Sequence, residues 1–123
     1  MSNQRDVMAR SIALLDTINE GIEYTEEILY KEDFSAAIQM IEDTLMGYVS
    51  VKNALKVVDV FIEDIEEVEL LQVTIEQSFR DLTNSFDNNS FDEAKSIVEN
   101  QLKVEFQRLK VIIKKDFNDF MLT

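Results

Sequence analysis

Asp33-Phe34-Ser35-Ala36-Ala37 and Ser90-Phe91-Asp92-Glu93-Ala94 lie 57 residues apart and carry the same local instructions. Each opens on a short oxygen-bearing side chain, continues with phenylalanine and places an alanine three residues after it. Asp and Ser are good N-caps, because a side-chain oxygen accepts from the free N–H groups of the first helical turn. Polar breaks precede both stretches: Lys31-Glu32 in one, Asp87-Asn88-Asn89 in the other. The second break is the strongest turn signal in the chain. Helices are therefore predicted to begin at Phe34 and Phe91, with Ser90 and Glu93 spaced as a capping box.

The shift of 57 carries outward from there. Met40, Ile41, Glu42 and Leu45 fall on Ile97, Val98, Glu99 and Leu102. Thr17-Ile18 falls on Thr74-Ile75, Ile22 on Phe79 and Leu29 on Phe86. Gly21 meets Ser78, both small enough to let two helices approach closely. Self-similarity of this kind is a fold signature. It predicts two similar helical hairpins, about 4–58 and about 60–121, joined in one domain spanning 1–123. Two facing hairpins with short connections make an all-α, up-down-up-down four-helix bundle.

Apolar periodicity supports each helix separately. Met8, Leu15, Ile18, Ile22 and Leu29 recur at spacings of three, four and seven over a first helix from about Gln4 to Tyr30. The second stripe is Phe34, Ala37, Ile41, Leu45, Tyr48, Val51, Leu55 and Val58. Apolar spacing then continues without a strong breaker through Ile62, Ile65, Val68, Leu71, Ile75, Phe79, Leu82 and Phe86. One helix over 34–86 would be about 80 Å long at 1.5 Å per residue, too long for a compact monomer and suited to an intertwined dimer. Asp59 and Asp64 are the candidate caps, and Asp64 with Glu67 resembles a capping box. The shift maps Ser2 onto Asp59, which favours a turn near 57–61. The last stripe is Phe91, Ala94, Val98, Leu102, Leu109, Ile113, Phe117 and Phe120, widened by Ile97, Phe106 and Ile112.

Composition agrees. Proline is absent and only two glycines occur in 123 residues, whereas a β-fold of this length needs many turn residues. Cysteine is absent, which removes disulfides and thiolate chemistry. The N-terminal residues lack the basic and apolar regions of a signal peptide, and no apolar run reaches a membrane span. A cytoplasmic protein is expected. The net charge is −13, which opposes binding to nucleic acid or to an anionic membrane surface. Residues 1–91 carry all of that excess, while 92–123 balance six basic against six acidic groups.

Few residues are equipped for catalysis. Without histidine or cysteine the common nucleophilic triads cannot be built, and two glycines cannot make a phosphate loop. Carboxylates group at Glu20, Glu23, Glu26 and Glu27, and again at Glu63, Asp64, Glu66, Glu67 and Glu69. Their Glu-x-x-Glu spacing resembles the magnesium-binding helices of all-helical nucleotide pyrophosphatases, but no basic and aromatic set to hold a nucleotide accompanies it. A solvated acidic face is the simpler reading. No cofactor and no metal site is expected.

Function is then expected to lie in contacts: a non-enzymatic protein–protein interaction module of adaptor, regulator or chaperone-like type, binding a protein partner or a second copy as a homodimer. A magnesium-dependent hydrolase and an acidic, immunity-type neutraliser of a basic partner are the alternatives. Phe61 near the proposed turn, Phe106 beside the last stripe, the apolar C-terminal end with Phe117, Phe120 and Met121, and the basic C-terminal stretch with Lys110 and Lys114 mark the expected surface.

Overall fold

The first two helices of the chain start on local chemistry. In the computed structural model, which describes residues 3–121, α1 runs Gln4–Tyr30, and the Asn3 side chain caps it by accepting from the Asp6 N–H at 2.8 Å. α2 is Phe34–Val57, capped by the Asp33 carboxylate, which accepts from the Ala36 N–H at 3.2 Å. α3 is Ile65–Asp87. The fourth helix, α4, covers 91–121: α-helical over Phe91–Ile97, π-helical over Val98–Leu102, and α-helical again over Lys103–Met121. The fold is an all-α bundle of four helices, with no strand among the described residues.

The two three-residue turns have the same geometry. After α1, Glu32 sits at φ 60°, its N–H donates to the Leu29 carbonyl, and the Asp33 N–H donates to Ile28. After α3, Asn89 sits at φ 55°, its N–H donates to Phe86, and the Ser90 N–H donates to Ser85. Both are Schellman closures, in which a left-handed residue lets the chain satisfy the last carbonyls of the helix. Every member of one turn lies 57 residues from its counterpart. The capping chemistry differs, however: the Ser90 side chain makes no cap bond, so the expected capping box with Glu93 does not form.

The middle connection departs from expectation. Helix 34–86 is broken, but a helix does not restart under an Asp59 cap. Asp59–Phe61 forms one 3-10 turn, Ile62 is extended, and α3 begins only at Ile65 after Asp64. Val58 and Ile62 are both buried here. Seating these two apolar anchors holds the linker against the end of the bundle and delays the next helix. Asp64 places no side-chain cap on α3; its backbone N–H donates instead to Asp116 Oδ2 at 3.3 Å.

α1 packs along α2 and against α4, and α3 packs against α4, whereas the backbones of α2 and α3 stay apart over most of their length. The core includes Met8, Leu15, Ile22, Leu29, Ile75, Leu82, Leu102, Phe106, Leu109 and Phe117. Three buried hydroxyls are satisfied within their own helices: Ser11 donates to Val7, Thr25 to Gly21 and Thr44 to Met40, the usual resolution for Ser and Thr inside a helix. At Gly21 the approach of α2 is close, since a Cβ there would stand 2.7 Å from Thr44 Oγ1. At the matching site in the second pair, Ser78 Oγ donates to Glu105 Oε1 at 2.6 Å and lies 3.4 Å from Gln101, the residue 57 beyond Thr44.

The π turn explains the core of α4. Up to Val98, buried positions match α2 at a shift of 57: Ala37 with Ala94 and Ile41 with Val98. Beyond it they match at 58: Thr44 with Leu102, Tyr48 with Phe106, Val51 with Leu109, Leu55 with Ile113 and Val58 with Asp116. A π turn absorbs one extra residue while keeping the flanking faces in line. In an ideal α-helix, Phe106 would stand about 120° round from Ala94, at about 100° per residue. Removing one residue's rotation brings it inward.

Candidate interaction groove

The residues expected to form a surface do not form one. Phe106 and Phe117 are fully buried, so they belong to the core; Phe117 follows its stripe inward, and Phe106, beside the stripe in an unbroken α-helix, is brought onto it across the π turn. Lys110 and Lys114 reach across to α1 and hold Asp16, at 3.0 and 3.4 Å. The Lys110 bond is the main reason that the Asp16 carboxyl is held below its ordinary range. Phe61 and Phe120 pack on each other with ring centroids 4.4 Å apart, both partly buried against the core. Arg5 lies 5.8 Å from the Phe120 ring centre and donates to the Met121 carbonyl at 3.4 Å. A hollow of about 410 Å³ lined by Phe61 and Phe120 together with Glu63, Asp116 and Asp119 lies at this end of the bundle.

The open seam is elsewhere, between α2 and α3. A hollow of about 570 Å³ lies there, floored by Leu45, Tyr48 and Phe79 and rimmed by Val49, Lys52, Lys56 and Arg80. A second hollow of about 400 Å³ follows the same seam towards Ile62 and Ile65, and Lys52 and Lys56 line both. Sites for small organic groups fall in this size range. Tyr48 is buried and its ring meets Phe79 at 5.7 Å.

A polar bridge spans the floor. Glu76 Oε2 accepts from Tyr48 Oη and from Lys52 Nζ, each at 2.8 Å. Burial pushes the Glu76 carboxyl upward, but the bonds from Lys52 and Tyr48 and the charges of Lys52 and Arg80 outweigh it and leave the group below its usual value. Burial first, then the carboxylate beside it, pushes the Tyr48 phenol well above its ordinary range. Tyr48 is thus a fixed neutral donor.

The seam between α1 and α4 is the counterpart of this one, and it is tied shut. Lys110 and Lys114 share Asp16, and Lys103 holds Glu26 at 3.0 Å, a bond that raises the lysine's pKa. By the shift of 58, Lys52 and Lys56 are the equivalents of Lys110 and Lys114, and Leu45 is the equivalent of Lys103. By the shift of 57, Val73 stands where Asp16 would be, and Thr83 where Glu26 would be. Lys52 finds Glu76, but Lys56 has no carboxylate within ion-pair distance among the described residues. Three positions that carry the α1–α4 ion pairs thus hold the uncharged residues Leu45, Val73 and Thr83 at their α2–α3 equivalents.

The acidic groups disperse. Glu26 serves Lys103, Glu67 holds Arg108, and Glu23 accepts from Asn19. Among the described residues no three carboxylates come together as metal ligands. No helix among them is long and apolar enough to cross a membrane.

A family model described as a domain of unknown function, DUF8042, matches residues 6–112. The chain belongs to that family. The match starts in α1 and ends within α4, so DUF8042 takes in both helix pairs, the π turn and the whole α2–α3 seam. No curated protein and no solved structure matches the chain.

Sequence reasoning did not single out Lys56, Glu76 or Arg80. A usable signal existed: Lys52 and Lys56 repeat as Lys110 and Lys114, but only at 58, one residue off the shift that aligns the turns.

Proposed function

We propose that this DUF8042 protein is a non-enzymatic protein–protein interaction module, of adaptor, regulator or chaperone-like type, working through the α2–α3 seam. The supporting observation is the contrast between two corresponding seams, one closed by the pairs of Lys103, Lys110 and Lys114 with Glu26 and Asp16, the other spanned by the Lys52–Glu76 pair and left hollow. The bundle is read as up-down-up-down and as a duplicated hairpin, supported by the two congruent turns and by the 57- and 58-residue correspondences. A protein acting by contact needs one stable surface that the fold does not cover itself, and the seam has that character. The hydrolase reading gains nothing from the dispersed carboxylates.

Photo-crosslinking tests this function. A photoreactive side chain placed at exposed Val49, on the groove rim, is compared with one at exposed Val111 on α4. The expected result is a discrete adduct from Val49 alone, re-formed with the purified partner once mass spectrometry identifies it. Equal labelling from both positions, or phosphate release from nucleoside triphosphates with Mg²⁺, overturns the reading.

A further inference from the structure

We infer that the α2–α3 groove takes an amphipathic helix of a partner protein whose apolar stripe is flanked by carboxylates, seated beside Lys56 and Arg80 as Asp16 is seated on Lys110 and Lys114. This rests on the seam being the working surface and adds the chemistry of its occupant.

Three observations identify that occupant. The first is the filled counterpart. In the α1–α4 seam two lysines one helical turn apart are satisfied by one carboxylate of a neighbouring helix. Lys56 occupies the equivalent of Lys114, but Val73 stands where the carboxylate should be, so the anion has to come from outside.

The second is charge. The chain carries −13 overall, yet the larger hollow is lined by three cations, Lys52, Lys56 and Arg80, against one carboxylate, Glu76. That carboxylate is already engaged by Lys52 and Tyr48. A local excess of positive charge steers an acidic segment towards this groove.

The third is shape. The two hollows share Lys52 and Lys56 and run end to end from Leu45 to Ile62. On α2 the lining runs from Leu45 to Lys56, about 17 Å at 1.5 Å per residue, before the chain leaves the helix. A trough of this length, mainly apolar in its larger hollow, matches about three turns of a helix docking by residues at i, i+3, i+4 and i+7. At the far end the lining turns acidic, with Asp59 and Glu69, so the partner's carboxylates belong at the Arg80 end and its basic residues at the other.

The probe is a displayed library of 16-residue amphipathic helices with Leu, Ile, Met and Phe on one face and random charges beside it. It is selected against the full chain and counter-selected against Val49→Trp. Enrichment of Asp and Glu over Lys and Arg at the flanks is expected. Selected peptides should lose at least tenfold in affinity on Lys56→Glu/Arg80→Glu, and peptides with Glu→Lys at the flanks should regain it. Lys56 and Arg80 are both exposed, and helical circular dichroism confirms that the variants fold. Binders indifferent to both charge swaps overturn the acidic partner but leave the seam as the working surface. No binder that distinguishes the chain from Val49→Trp overturns both. A long-chain fatty acid that competes for the groove where no peptide binds, or a homodimer in light scattering that Val49→Trp dissolves, overturns the helical partner.

Discussion

Phe34 and Phe91 stack face to face, with ring centroids 3.7 Å apart and planes 9° from parallel. They are the first residues of α2 and α4, 57 positions apart, so the two equivalent turns meet each other through equivalent side chains. Neither ring is fully buried. Phe34→Ala and Phe91→Ala should therefore each cost about 1.5–3 kcal/mol, below the roughly 3–5 kcal/mol of a fully buried ring. A double-mutant cycle by urea denaturation should show coupling of about 0.5–1.5 kcal/mol, the range for aromatic pairs. Strict additivity would mean that the stack contributes nothing beyond area.

The π turn makes a sharper prediction. Deleting exposed Asn100, inside Val98–Leu102, should convert the turn to ordinary α-helix, keep both flanking faces in register and change stability by less than about 1 kcal/mol, since the surplus residue is the one a π turn holds. Deleting exposed Gln107 should turn the distal face by about 100°, unseat Leu109, Ile113 and Phe117, and leave the chain without a cooperative melt. Thermal denaturation followed by circular dichroism separates the two.

Gly21→Ala should destabilise by about 1–3 kcal/mol, the usual penalty for overpacking, because the new Cβ meets Thr44 Oγ1 at 2.7 Å. Adding Thr44→Ala should recover most of that loss. Ser78→Ala, at the equivalent site, should produce no clash, since a Cβ is already there. Chemical denaturation of the four chains is sufficient.

Asp116 is buried, its Oδ1 has no hydrogen-bond partner, and Lys115 stands 4.0 Å from it. Burial is the main cause of its raised pKa; the charges of Asp64 and Glu63 add to it, while the Asp64 N–H and Lys115 oppose it. With the folded-state pKa above the unfolded one, this group favours folding below the ordinary carboxylate range, and the contribution is lost as pH rises through the folded pKa. Asp116→Asn should remove that slope and raise stability at pH 7 by about 1–3 kcal/mol, the cost of an unsatisfied buried group. Denaturation midpoints across a pH series give the comparison with the parent chain.

The helices were legible because capping and periodicity are local. Asp33 caps as its chemistry requires, and stripes such as Leu15, Ile18 and Ile22 are buried as spaced. The start of α3 was legible only as a choice between Asp59 and Asp64; the helix begins after Asp64, because Val58 and Ile62 hold the linker by contacts formed only in the assembled bundle. Phe106 was misplaced for a related reason: one surplus residue within a helix changes no local propensity, yet it alters which side chains face inward. The groove depends on what is missing from it. The significance of Val73 and Thr83 shows only when Asp16 and Glu26 are seen closing the other seam.

The closed seam also bears on the order of events in folding. The two turns each join neighbours in sequence, but the α1–α4 contacts bring together residues as far apart as Asp16 and Lys114, 98 positions along the chain. Closing so long a loop carries the largest entropic cost, and contacts of this range govern folding speed. Hairpins that form early would carry Asp16 and Glu26 on one body and Lys103, Lys110 and Lys114 on the other, opposite charges that attract before the faces touch. Salt would then slow the final docking of the two halves while leaving the formation of each almost untouched.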